Sequence, residues 1–272
     1  MLKTLYKGMA VGITETVPGV SGSTVAMILG IYEKLLYSIS IITTPDRRKA
    51  IPFLVIFGLG MIIGFACSIF TISFLLDNFR TQTLIFFVGI IVGFLPQLWN
   101  EARRHSLSSF EGRHYVIIAL FFFIVVIGQI LGSGYELSSE NISRGDYIFL
   151  FGAGLLASTA LVLPGISGAL ILTILGVYEI ATQSLLDLHL PIIIAIGLGV
   201  IAGVLFTSKV VRYLLEHFTL AAYAAMVGLV SGSIIAIFNE IEGTITIPII
   251  IVSVLTFNGG LAVVHLLKPK HS

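Results

Sequence analysis

The chain has 272 residues, 57% of them hydrophobic and only 11% charged, with a mean hydropathy of +1.06. Those values exclude an ordinary soluble domain and indicate a polytopic membrane protein. A net charge of +1 says little by itself, no nucleic-acid partner is expected, and the single cysteine, Cys67, excludes an internal disulfide.

The amino-terminal stretch carries Lys3 and Lys7 before an apolar run, but Glu15 and a Pro-Gly break stand where a leader would be cleaved, so it reads as mature protein. Apolar runs cover residues 8–42 (broken at Pro18-Gly19), 51–76, 83–99 and 115–131. A polar stretch at 133–146 follows, then runs at 147–186 (broken at Pro164-Gly165), 191–211, 220–238 and 245–267. Each unbroken run approaches the roughly 20 residues that a spanning helix needs. Residues 1–132 and 147–272 thus form two units of the same plan, joined by an outer linker.

The two units share words. Pro18-Gly19-Val20-Ser21-Gly22-Ser23-Thr24 returns as Pro164-Gly165-Ile166-Ser167-Gly168-Ala169, and Ile28-Leu29-Gly30-Ile31-Tyr32-Glu33 as Ile174-Leu175-Gly176-Val177-Tyr178-Glu179. Gly58, Gly60, Gly64, Gly89 and Gly93 recur as Gly197, Gly199, Gly203, Gly228 and Gly232, a spacing expected of close helix packing. Each unit therefore holds one broken hairpin and three spans. Three is odd, so the second unit is expected to be inverted relative to the first. With both termini in the cytoplasm, thirteen of the fifteen Lys and Arg fall inside and only Arg80 and Arg144 outside, as the positive-inside rule requires. The expected fold is an all-α polytopic membrane protein of two inverted repeats. From Lys7, Pro18 lies about 16 Å deeper, half of a ~30 Å core, so the first hairpin is expected to re-enter. Asp146 to Pro164 is about 27 Å, which leaves the second hairpin either re-entrant or fully crossing.

A Pro-Gly break inside an apolar run frees backbone groups that must face protein, water or ligand. Broken helices in matching places of two halves point to a transporter's binding site. Gly19, Gly22, Gly165 and Gly168 allow close approach, and Ser21, Ser23, Thr24 and Ser167 supply hydroxyls suited to an anion. The bland reading is a tight hairpin whose Ser and Gly only cap and pack. Glu15, close to mid-membrane, is a candidate for proton coupling or for a buried cap; its counterpart is Leu161. Arg80 is a candidate for drawing in an anionic head from outside, against a local pair with Asp77. Lys209 and Arg212 read as inner-interface anchors or cytoplasmic phosphate contacts. Tyr32-Glu33 and Tyr178-Glu179 read as interface markers, Gln129 and Asn258 as interhelical hydrogen-bonding groups, and Cys67 as a small core residue. No metal site follows from the six histidines, no phosphate loop suggests ATP hydrolysis, and no cofactor is expected.

On the doubled Pro-Gly-Val-Ser-Gly-Ser-Thr and Pro-Gly-Ile-Ser-Gly-Ala words, each followed by Ile-Leu-Gly-[Ile/Val]-Tyr-Glu, the chain resembles bacterial polyprenyl-phosphate (undecaprenyl-phosphate) transporters of the PopT type over essentially its whole length. The resemblance implies a flippase in the bacterial plasma membrane that returns the lipid carrier to the cytoplasmic leaflet for cell-envelope glycan synthesis. It implies binding roles for Ser21, Gly22, Ser23, Thr24, Ser167 and Gly168, a polyprenyl phosphate partner among membrane lipids, and no enzyme activity. A homo-oligomer is compatible with it. Ala169 stands where the first copy has Ser23, so the second tip offers one hydroxyl fewer. The rival readings are a carrier of a small soluble anion, an integral-membrane lipid phosphatase or transferase, and a non-transporting scaffold.

Overall fold

A computed structural model describes residues 1–17, 20–104, 110–131, 142–241 and 246–267. Among these, every regular element is a helix: α1 (Leu2–Thr14), α2 (Gly22–Ile28), α3 (Tyr32–Ile41), α4 (Arg47–Arg104), α5 (Gly112–Leu131), α6 (Arg144–Val162), α7 (Gly168–Ile174), α8 (Tyr178–Leu186), α9 (Leu190–His217), α10 (Thr219–Asn239) and α11 (Ile247–Leu267). Six of them are long and apolar enough to cross a membrane. This is an all-α, multi-pass membrane protein.

The long helix α4 contains both spans expected at 51–76 and 83–99. Its 58 residues would extend about 87 Å if straight, nearly three bilayer cores. Phe79, at φ −138° and ψ 41°, breaks it into two arms. The aligned residue Phe218 has almost the same backbone, φ −130° and ψ 46°, and separates α9 from α10.

Small residues decide which helices touch. A Cβ on Gly8 or Gly12 would strike the carbonyls of Phe57 or Met61, locking α1 onto the first arm of α4. Gly154 and Gly199 play the same part between α6 and α9. Gly89 sits against the Phe257 carbonyl and Gly228 against that of Ile118, so the second arm of α4 meets α11 while α10 meets α5. Gly58 and Gly197 differ from the expectation: nothing lies within 4 Å of a Cβ at either, because both point away from the neighbouring helices.

Helix α10 is the interior axis, with 61% of its apolar window buried, against 11% for α5 and for α11, which present their apolar side chains outward. The principal core joins Val25, Tyr32, Leu84, Phe87, Met226 and Val230 from α2, α3, α4 and α10, and a smaller one joins Leu150, Ile180 and Ile192. Cys67 is exposed on α4 rather than in this core, because it falls on the outward face of the first arm.

Candidate functional site

The limb after each Pro-Gly word is not one helix. A second break bends α3 from α2 by 119° and α8 from α7 by 113°. The Leu-Gly-[Ile/Val]-Tyr word encodes it: Gly30 and Gly176 adopt φ +61° and +67°, a left-handed conformation that glycine takes at little cost. The Lys7 ammonium donates to the Leu29 carbonyl at 2.5 Å, so α2 ends beside the start of α1.

At the tips, α1 and α6 stop for local reasons. Thr14 and Thr16 donate back to the carbonyls of Val11 and Ile13 at 2.8 and 2.7 Å. Leu163 is extended before Pro164, since the proline ring disfavours a helical residue ahead of it. Ser21 and Ser167 then take nearly identical backbone conformations, φ −95°, ψ 130° and φ −90°, ψ 134°, and neither hydroxyl caps the helix it precedes. Their hydroxyls remain for other partners. Ser21 and Ser23 share a hydrogen bond of 2.6 Å, while Ser167 has no side-chain bond among the described residues.

The two tips meet. The Gly165 amide donates to Thr24 Oγ1 at 3.0 Å, and the Tyr32 hydroxyl donates to the Val162 carbonyl at 2.8 Å. Gly165, at φ +92°, lies so close to Leu229 and Val230 that a Cβ would overlap their backbone. Those residues sit at the middle of α10, so the junction lies halfway along a span-length helix. Ser21, Ser23 and Thr24 are buried there; Ser167 and Gly168 are half-buried. Gly19 lies outside the described residues.

Glu15 reaches the same junction and accepts the Gly22 amide. At the second tip a Cβ on Gly168 would meet the Leu161 side chain at 3.8 Å, so an alkyl chain stands beside that short helix where the first has a carboxylate.

The basic candidates are dispersed. Arg80 donates to the Glu240 carboxylate and carbonyl, both at 2.8 Å, tying α4 to the end of α10; its partner is not the expected Asp77. Arg212 pairs with Glu216 at 2.7 Å, donates to Ser40 at 3.1 Å and lies over the Tyr37 ring. It is a strut between α9 and α3. Lys209 is exposed. Gln129 accepts from Asn239 across a helix pair, as expected, but Asn258 donates to Val254 in its own helix. Tyr32 is an interior residue, 4% exposed, whereas Tyr178 is exposed.

One polar region escaped the sequence reading. A cavity of about 420 Å³ opens below the α2–α3 turn, with Glu33, Gln97, Asn100, Glu101, Arg104 and Tyr223 in its wall. The Tyr223 hydroxyl bonds the Glu33 carboxylate. These residues are far apart in the chain; the visible signal was a lone tyrosine within the Ala- and Gly-rich α10.

The model of a family described as undecaprenyl phosphate translocase-like matches residues 11–49, 46–114 and 104–248. The chain belongs to that family. A Staphylococcus aureus (strain NCTC 8325 / PS 47) protein named polyprenyl-phosphate transporter is 33% identical over 242 residues, 86% of this chain and 85% of the relative. A Vibrio cholerae serotype O1 (strain ATCC 39315 / El Tor Inaba N16961) protein of the same name is 32% identical over 248 residues, 86% of this chain and 76% of that one. Both are named as transporters, not enzymes. No solved structure matches.

Proposed function

We propose that this chain is a flippase that carries polyprenyl phosphate from the outer to the cytoplasmic leaflet of a bacterial plasma membrane. The phosphate head passes between the two tips while the isoprenoid tail stays in lipid. The names of the two relatives support the substrate class. The observation that carries the site is the meeting of Thr24 with Gly165 against the midpoint of α10. A phosphate monoester is charged and must exchange water for N–H and O–H donors at that depth. Ser21, Ser23, Thr24, Ser167 and the adjoining backbone are the donors assigned here. Their bond to one another, and that of Thr24 to Gly165, must open for the head to enter, so binding and tip separation are one event.

The supporting topology is that of two inverted repeats with both termini in the cytoplasm. Phe79 matching Phe218, and the reciprocal contacts Gly89–Phe257 and Gly228–Ile118, favour a two-fold relation between the halves. Glu15 is assigned to proton coupling: an ionised carboxylate facing the same short helix as the head group would repel it, and protonation removes that repulsion. Lys209 is assigned a cytoplasmic contact with the head. For Arg80 and Arg212 such a contact requires that their present ion pairs open.

Reconstitution tests the reading. Ser21→Leu and Ser167→Leu should each abolish flipping of a short-chain polyprenyl phosphate while the protein still folds. Polyprenyl phosphate, but not inorganic phosphate, should compete. Normal transport by both variants removes the tips from the route, and competition by inorganic phosphate alone favours a soluble-anion carrier. Glu15→Gln should retain head-group binding and flatten the pH profile; an unchanged profile leaves Glu15 a cap for Gly22.

A further inference from the structure

Helices α5 and α10 begin side by side, at the end of the molecule that also carries His217, and a cavity of about 270 Å³ lies between them. Its wall includes Arg113 and His114 from α5, His217 from the end of α9, and Thr219, Leu220 and Ala221 at the start of α10. From these residues we infer a binding site for a phosphate group, distinct from the Pro-Gly tips.

The donors follow from the local bonding. No side chain caps α10, and the Thr219 hydroxyl turns back to donate to the Leu215 carbonyl at 2.8 Å. The first amides of a 21-residue helix therefore lack a side-chain cap, and the residues that carry them, Thr219, Leu220 and Ala221, line the cavity. The independent observation is His114, only 4% exposed. Its Nδ1 accepts the Glu111 amide at 2.9 Å, which leaves Nε2 as the protonated nitrogen; that N–H has no partner among the described residues, and the side chain lines the cavity. His217 donates its Nδ1–H to the Tyr213 carbonyl at 3.0 Å, so its Nε2 can donate to an anion only as imidazolium. Arg113 uses one edge on Glu111 at 2.9 Å, and the rest of its guanidinium fork is available to oxygen acceptors. Backbone amides, an imidazole N–H and an arginine form a donor set for a tetrahedral oxyanion.

The aligned location in the other half shows that the fold does not impose this chemistry. There, around Phe79, Gln82, Thr83 and Phe86, the cavity takes Val252 and Thr256 from α11, and Val252 stands where α5 has Arg113. That cavity wall carries no charged side chain, whereas this one carries Arg113 and two histidines. Under the proposed topology the cavity with Arg113 is cytoplasmic, where the phosphate of a lipid head group or free phosphate would meet it. The site itself does not depend on the transport reading.

The test uses the full chain in phosphatidylcholine nanodiscs or uncharged detergent, with two probes: inorganic phosphate and dihexanoyl phosphatidic acid, a soluble lipid phosphate monoester. Binding is measured by calorimetry for wild type, His114→Asn, and the double variant R113Q/H217Q. Asn keeps an acceptor for the Glu111 amide and removes the Nε2 donor. Each should weaken binding by about tenfold or more, as expected for the loss of a charge-assisted hydrogen bond. Weakened binding of both probes assigns the site to phosphate as such, and of the lipid alone to a head group. If His114→Asn fails to fold, the exposed pair Arg113 and His217 carries the comparison. Absence of binding by either probe, or equal affinities in wild type and R113Q/H217Q, overturns the site. Because the tip residues are untouched, the flipping assay and this titration fail separately.

Discussion

At the residue scale, the same amino acid has opposite consequences depending on what its Cβ direction meets. Gly12 faces the backbone of Met61, whereas Gly58, two residues before the packed Gly60, faces open space. Gly12→Val is therefore expected to overpack α1 against α4 and to lower stability by about 1–3 kcal/mol, or to prevent folding. Gly58→Ala should be neutral or stabilising, since alanine favours helix. Thermal unfolding of both variants in one detergent decides between these outcomes. Tyr32 gives a second contrast within a repeated word. Its hydroxyl holds the Val162 carbonyl, while exposed Tyr178 holds nothing comparable among the described residues. Tyr32→Phe leaves a buried carbonyl without its donor and should cost about 1–3 kcal/mol; Tyr178→Phe should leave the melting temperature unchanged. Equal effects would mean that the Tyr32 bond does not hold the two tips together.

At the element scale, each hairpin is three pieces because two different breakers act in succession. In the second hairpin Pro164 ends the incoming helix by restricting Leu163 before it; in both hairpins glycine at positive φ then turns the short outgoing helix. Gly30→Ala and Gly176→Ala should each destabilise by about 1–2 kcal/mol, the cost of placing a Cβ in the left-handed region. Both should also impair flipping, because they displace α2 or α7 and hence the tips. Unchanged stability in both would show that the bend persists without glycine. The break at Phe79 has a different origin: with no proline or glycine there, aligned phenylalanines adopt the same kinked backbone where one span turns into the next.

At the scale of the whole molecule, burial is graded from α10 outward to α5 and α11. The outward residues of those two helices are expected to face hydrocarbon. Ile130→Arg, at a side chain 72% exposed, should reduce membrane insertion, with a cost of up to about 2.5–3.5 kcal/mol if the residue lies deep and less near an interface. Insertion is measured by glycosylation or protease protection, and a variant that inserts like wild type would place Ile130 in water. The proposed orientation is checked by cysteine labelling in a Cys67→Ala background, needed because Cys67 is exposed. A cysteine at Asn239 should react from outside and one at Arg104 only from inside. External reaction at Arg104 would invert the topology.

Hydropathy, the doubled Pro-Gly words and the spacing of the glycines were sufficient to read an all-α membrane protein built around two broken segments, because each is a local property of consecutive residues. The amino-acid sequence also carried the family resemblance through those same words. It did not reveal the second bend, since Ile-Leu-Gly-Ile-Tyr continues an apolar helical pattern and only the backbone torsion of Gly30 marks the turn. Nor did it reveal the partners of the charged side chains. Asp77 is near Arg80 in the chain, but Glu240 is near it in space. The polar cavity of Glu33, Glu101 and Tyr223, the contact of Thr24 with Gly165, and the basic end of α5 and α10 all join segments remote in sequence. Long-range proximity is set by how helices pack around α10, and no local pattern records which side chains that packing brings face to face.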